Sequence, residues 1–155
     1  DLGRISVTGS VEVKNLLRDS KHTNLQHLIS DVGSTLKKEL IHEINGVTIP
    51  DFKEIFKAMF PGGSITGAPK IKSMELIKEL EDKPRGAFTG SLGYYKFNQQ
   101  AGEFNILIRS IFYNKKSKVL SFNTGAGITS ASNPKQEYEE TLLKAEKLIE
   151  VFNGI

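Results

Sequence analysis

The 155-residue chain contains no cysteine. That excludes a disulfide framework and any thiolate metal site, and it suits a reducing compartment, so a cytoplasmic location is expected. No apolar run approaches the length of a membrane span, and the first residues show no basic segment followed by an apolar one. Charge of one sign is also missing: 21 Lys and Arg against 18 Asp and Glu leave +3, too weak a field to argue for nucleic acid. The three histidines stand without cysteine or close spacing and make no zinc site, and no Ser/His/Asp arrangement is present. Repeats, low-complexity segments and linkers are absent as well, so residues 1–155 read as a single α+β domain.

What is present is an ordinary globular composition, 38% hydrophobic and 25% charged, in a length that can bury a core without staples. Gly9 to Lys14 alternates as a short half-buried strand, and Leu16 to His22 reads as a polar turn or a fraying helical turn. Leu25, Leu28, Ile29 and Val32 fall at helical spacing, though the compact apolar pair before Gly33 also allows a strand. Leu36, Leu40, Ile41 and Ile44 recur at helical intervals up to Gly46 and Pro50. Asp51 is placed to cap a helix over 52–59, with Glu54 in its first turn and Ile55, Phe56 and Met59 on its apolar face.

Phe60 to Lys70 is the least ordinary stretch, rich in Gly and Pro just before a helix with Ile71, Met74, Ile77 and Leu80 on one face. Pro69 suits that helix's first turn. After Pro84 three strand-like runs follow, 88–97, 104–113 and 118–124, which suggests a meander. Asn133, Pro134 and Gln136 then form an N-cap, a first-turn proline and a capping-box partner. Tyr138, Leu142, Ala145, Ile149 and Phe152 make the stripe of an amphipathic helix expected to dock on the sheet.

Two phosphate-loop patterns come close and fail. Gly62 to Gly67 has the outer glycine spacing of a P-loop, but Ala68-Pro69 stands where Lys and Ser/Thr belong. Gly125-Ala126-Gly127 has two glycines of a dinucleotide fingerprint, with its helix too far on to receive a pyrophosphate. Both remain glycine-lined turns able to meet a small anion, or simply tight connections needing positive φ. Glu137 and Glu140 lie three apart on one helical face with Lys144 four further on. They suit either a divalent cation or a solvated acidic first turn with an ion pair. Arg109 lies in a nearly continuous apolar strand, where a guanidinium needs an anionic partner, either a bound carboxylate or a structural Asp or Glu. His27 could act as a general acid or base, or be structural.

Together these segments resemble the C-terminal part of the chorismate-utilising enzymes, most closely the aminodeoxychorismate synthase component I branch. The likeness runs through Asp1-Leu2-Gly3-Arg4, His27-Leu28-Ile29-Ser30, Pro61 to Lys70, Arg85 to Tyr94, Ile108-Arg109-Ser110, Gly125 to Ile128, Glu137 to Thr141 and Lys144-Ala145. Gly-Ser-Ile-Thr-Gly-Ala-Pro-Lys at 63–70 is similar to the aminodeoxychorismate version of its motif, whereas anthranilate synthases tend to carry Gly-Thr-x-Ser there.

The resemblance implies an α+β fold of antiparallel sheets with outer helices, in which 25–32 is a strand. It implies chorismate as substrate, Mg²⁺ as cofactor and a glutamine amidotransferase subunit as the ammonia source. The reaction would replace the 4-hydroxyl of chorismate by an amino group in p-aminobenzoate and folate biosynthesis. Glu140 would be a Mg²⁺ ligand with Glu137 beside it. Arg109 and the backbone of Gly127 would hold a carboxylate, Ser64 and Gly67 would line the pocket, Lys144 would add positive charge, and His27 would sit near the ring. Phe88 stands where the family commonly has Tyr, which removes a hydroxyl donor. The family's attacking Lys and its other metal carboxylates lie upstream of these motifs. The opening Asp1-Leu2-Gly3-Arg4 is therefore expected to be interior to a longer enzyme, and the chain alone to be inactive. The rival readings are anthranilate synthase component I and a non-catalytic anion-binding module.

Overall fold

A computed structural model describes residues 1–22 and 25–153, with side chains described at 1–20, 28–146 and 148–150. The expected α+β class is observed, helices alternating with antiparallel strand pairs. The chain forms two compact units, Asp1–Gly63 with Tyr95–Gly102, and Ser64–Tyr94 with Glu103–Ile155.

In the first unit, helix α1 (Leu2–Ile5) leads into a long hairpin of β1 (Glu12–His22) and β2 (Leu25–Gly33). The strand thus starts later than the alternation at 9–14 suggests and runs through the polar stretch at 16–22. Two register shifts, between Val13 and Asn15 and between Asn15 and Arg18, explain why. Bulges break the period of two, so apolar Leu16 and Leu17 fall side by side. The 25–32 segment is a strand, as the resemblance implies and against its helical spacing. Ile5 and Ser6 are the buried residues of this unit among those described. The Ser6 hydroxyl donates to the Leu2 carbonyl at 2.5 Å and meets Ser34 Oγ at 2.6 Å, while Lys37 N–H donates to Ile5 O.

The helix expected over 36–45 does not form. A single 3-10 turn, Lys38–Leu40, precedes β3 (Ile41–Ile44), which pairs with β4 (Val47–Pro50). Asn45 and Gly46 both take positive φ, 53° and 76°, the backbone a two-residue hairpin turn demands. Helix α2 (Phe52–Met59) forms as expected, its N-terminus capped by Asp51, whose carboxylate accepts from Glu54 N–H at 3.1 Å. That hydrogen bond, with a second from His42, holds the Asp51 carboxyl below the usual carboxylate range. A carboxyl depressed on folding stabilises at neutral pH, and the contribution disappears as pH falls through the lowered value. Acid titration followed by the Glu54 amide resonance is therefore expected to show α2 fraying with Asp51. Asp51→Ala removes that transition and leaves the helix end frayed at neutral pH.

The second unit begins within the short helix α3 (Gly63–Thr66) and leaves Tyr95–Gly102 to the first. Helix α4 (Lys70–Leu80) has Pro69 as its N-cap, one place outside the first turn. Its half-buried side is Lys70, Ser73 and Ile77, and the expected apolar residues Ile71, Met74 and Leu80 are exposed. Ser73 lies beneath Gly67, whose φ of 110° suits glycine. The three apolar runs resolve into four strands: β5 (Ser91–Lys96) with β6 (Ala101–Ile106), and β7 (Ile111–Asn114) with β8 (Val119–Phe122). Among the described residues they form two separate sheets, not one meander. The run at 104–113 breaks because Arg109 adopts a φ of 51° and Ile108 N–H folds back onto Ile106 O at 2.9 Å.

Helix α5 (Pro134–Asn153) begins as expected, with Asn133 Oδ1 accepting from the N–H groups of Lys135 and Gln136 at 3.0 and 3.3 Å. Its half-buried face is Glu137, Thr141, Lys144, Ala145 and Leu148. Of the stripe expected to dock on the sheet, Ala145 lies on this face, whereas Tyr138, Leu142 and Ile149 are open, at 64, 50 and 45% exposed. The side chain of Phe152 lies outside the described set. Much of the apolar surface of α4, α5 and the hairpins is uncovered.

Candidate functional site

The second unit contains a cavity of about 310 Å³, large enough for a small organic acid. Three segments build most of it, joined by Ser64 and Ile65 of α3 and by Glu81 at the end of α4. The first is the turn at 85–90 between α4 and β5, where Phe88 supplies an apolar wall. The second is the break between β6 and β7, which delivers Ile108 and Arg109. The third is the glycine-rich connection after β8, closed on one side by Lys144 and Leu148 of α5.

Hydrogen bonds lock these segments together. Thr89 N–H donates to Leu107 O and Leu107 N–H donates to Gly90 O, both at 2.9 Å. This reciprocal pair continues the β5–β6 ladder up to the cavity. Lys144 Nζ donates to the Gly125 carbonyl at 3.1 Å and pairs with Glu140 at 2.7 Å, tying the glycine connection to α5. The Glu140 carboxyl is held below the usual range by that hydrogen bond from Lys144 and by its charge. No atom lies within 4 Å of a Cβ built on Gly125 or Gly127, and neither has positive φ. Neither packing nor backbone strain therefore accounts for glycine at these two cavity-lining positions. Absence of a side chain leaves the backbone approachable by a ligand.

The charge on the walls is mostly positive. Arg85, Arg109 and Lys144 face a single acid, Glu81. Arg85 is committed to Glu81, through Nε at 2.8 Å and Nη2 at 2.6 Å, and donates to Thr89 Oγ1 at 3.3 Å. Their hydrogen bond lowers the Glu81 carboxyl and raises the Arg85 guanidinium from their ordinary values, so both stay charged. Arg109 differs: it has no hydrogen-bond or ion-pair partner among the described residues. Arg109 is exposed and lies outside any strand, so the apolar burial expected from its sequence context is not observed, and no structural carboxylate meets it among the described residues.

Ser64, Phe88, Arg109, Gly127 and Lys144, all named from the sequence, line this one cavity. Gly67, Glu137 and Glu140 belong to the same unit without lining it. Glu137 is half-buried, with its carbonyl accepting from Thr141 Oγ1, while Glu140 is exposed. His27 sits on β2 opposite Ser20 in the first unit, and its side chain lies outside the described residues. Glu81, Arg85 and Thr89 were not singled out by sequence reasoning. The available signal was an acid and an arginine four apart across the end of a helix closed by Pro84.

No helix among the described residues is long and apolar enough to cross a membrane. Residues 1–150 match the chorismate binding enzymes. The chain is 37% identical over 152 residues to the anthranilate synthase component 1 of Aquifex aeolicus, covering 98% of this chain and 28% of that protein. It is 39% identical over 145 residues to the aminodeoxychorismate synthase component 1 of Bacillus subtilis, covering 94% and 28%. The crystal structure of anthranilate synthase component I from Streptococcus pneumoniae superposes with a TM-score of 0.72 at 32% identity, over 94% of this chain and 31% of that one. The chain thus spans less than a third of the length of these relatives. With a family match over nearly its whole length, it belongs to the chorismate binding enzymes.

Proposed function

We propose that this chain forms part of the active site of an enzyme that aminates chorismate to 4-amino-4-deoxychorismate, in the cytoplasm and with ammonia from a glutamine amidotransferase subunit. The observation that carries the reading is the Arg109 guanidinium, without a protein partner among the described residues, beside a glycine-walled cavity. A fork of N–H donors with no internal acid matches a ligand carboxylate held bidentately. Chorismate is a dicarboxylate, and the excess of positive groups on the walls suits it. The branch assignment rests on Gly-Ser-Ile-Thr-Gly-Ala-Pro-Lys at 63–70.

In this reading Arg109 and the Gly127 N–H hold one carboxylate, Lys144 adds charge from α5, and Phe88 and Ser64 shape the wall against the ring. Gly67 turns the chain between α3 and α4 at a positive φ. Phe88 offers no hydroxyl, so carboxylate binding leans on Arg109. Glu137 and Glu140 are hard-oxygen donors one helical turn apart, suited to Mg²⁺. No group of three or more His, Asp or Glu that could enclose a metal occurs among the described residues, so these two would supply only part of a shell. When bound, Mg²⁺ supplies Lewis-acid stabilisation of charge on the departing oxygen. The open apolar faces of α4 and α5 fit the same reading, in which the rest of the enzyme covers them and the chain alone is inactive.

The test supplies the complete protein with chorismate, Mg²⁺ and ammonia. Conversion to 4-amino-4-deoxychorismate is the expected result. Fluorescent anthranilate appearing without an added lyase overturns the branch and makes the enzyme an anthranilate synthase. Chorismate binding with no turnover makes it a non-catalytic anion-binding module.

A further inference from the structure

We propose that Arg85 is a positioning residue that sets the carboxylate-binding geometry of Arg109 through a clasp of three side chains and one backbone ladder. The inference rests on the reading that Arg109 receives a substrate carboxylate.

The clasp begins at the end of α4. Glu81 is the helix's C-cap, its N–H donating to Ile77 O at 2.9 Å, so its carboxylate is anchored to a regular element. Arg85 grips that carboxylate with Nε and Nη2 and uses Nη1 to donate to Thr89 Oγ1. Arg85 is partly withdrawn from solvent, its side chain being 26% exposed. Glu81 is exposed, so the hold comes from the fork, whose two parallel bonds fix orientation more firmly than a single-point ion pair does.

Thr89 is where the grip reaches the cavity. Its φ is 63°, a conformation threonine rarely takes, so the surrounding bonds must hold it there. They are numerous: Phe88 N–H donates to Arg85 O, Gly90 N–H to Ala87 O, and Thr89 Oγ1 to Phe88 O at 2.6 Å. From this turn Thr89 N–H and Gly90 O exchange bonds with Leu107. Arg109 follows two residues later, also at positive φ and outside any strand, and so without ladder bonds of its own. Ile108 and Ser110 beside it make only local bonds, Ile108 N–H to Ile106 O and Ser110 Oγ to Ile108 O. The tethers to other segments are Ile111, paired with Phe122 on one side, and Leu107 on the other, and Leu107 is held by the turn that Arg85 holds. A guanidinium that recognises a carboxylate bidentately depends on such placement, because a small displacement forfeits the second bond.

A double-mutant cycle in the complete protein tests this, reading chorismate affinity by titration and kcat against KM by turnover. Arg109→Ala is expected to weaken chorismate binding by about a hundredfold. Arg85→Lys, which keeps the charge and loses the fork, is expected to weaken it by about tenfold with kcat nearly unchanged. Placed in the Arg109→Ala background, Arg85→Lys is expected to cost nothing further, because its effect passes through Arg109. Thermal midpoints of all four proteins separate site geometry from folding, and Glu81→Gln provides a second entry into the clasp. Equal costs of Arg85→Lys in both backgrounds, or no cost in either, overturn the clasp while leaving the role of Arg109 intact. An unchanged affinity in Arg109→Ala overturns the underlying reading instead.

Discussion

Replacing Gly93 by alanine is expected to dismantle the β5–β6 hairpin. A Cβ at this position would collide with the carbonyl oxygen of Glu103 and the ring of Phe104, and would lie 2.7 Å from the Phe104 Cα. Two of these obstacles are backbone, which cannot swing aside as a long side chain can. The strands must separate or shift register, and a one-residue shift turns every side chain to the other face. Overpacking of this severity costs roughly 3 kcal/mol. Chemical denaturation reads the loss, and hydrogen exchange at the Thr89 and Leu107 amides locates it, since their bonds extend the same ladder. Gly125→Ala is the control. Nothing lies within 4 Å of its Cβ, so stability should move by less than about 0.5 kcal/mol. Equal stability of the two variants would show that the strands yield easily.

The second large effect is on binding. Arg109→Ala should leave the fold intact, because the side chain has no partner among the described residues, while chorismate affinity falls by about a hundredfold or more. Arg109→Lys should lose about tenfold, since an ammonium keeps the charge but cannot present two parallel donors. Isothermal titration of the complete protein with chorismate measures both. Raising the salt concentration should weaken binding to the native site and barely affect Arg109→Ala, if a charge contact dominates. An alanine variant that binds like the native protein would remove Arg109 from the carboxylate site.

The elements whose signals are local were legible in the sequence. Asp51 and Asn133 cap the helices they were expected to cap, because a cap is a contact between near neighbours. The hairpin at 41–50 was hidden by apolar residues that happen to recur at helical intervals, although Asn45-Gly46 is a strong short-range hairpin signal. The β1–β2 hairpin was obscured by bulges that no periodicity registers. Which face of α4 or α5 turns inward was not legible either. Apolar residues were assigned to the covered side, yet Ser73 and Lys144 lie there and Ile71 and Tyr138 do not. That assignment assumes all burial occurs within the chain. At the site, Ser64, Phe88, Arg109, Gly127 and Lys144 are legible through the motifs that carry the family resemblance, while the contacts that join Glu81, Arg85 and Thr89 into a clasp are not. Its residues stand at a helix end and in a turn, where side-chain geometry decides what meets.

Each of the four sheets among the described residues joins two strands consecutive in the chain. Such pairings close short loops, so little chain entropy separates the unfolded ensemble from any one hairpin. No hairpin waits for a distant strand to arrive, and each sets its own register at its own turn. Damage should therefore stay local: substitutions in different hairpins that share no contacts ought to combine additively in free energy. A broken β1–β2 ribbon leaves the strands that flank the cavity to pair as before.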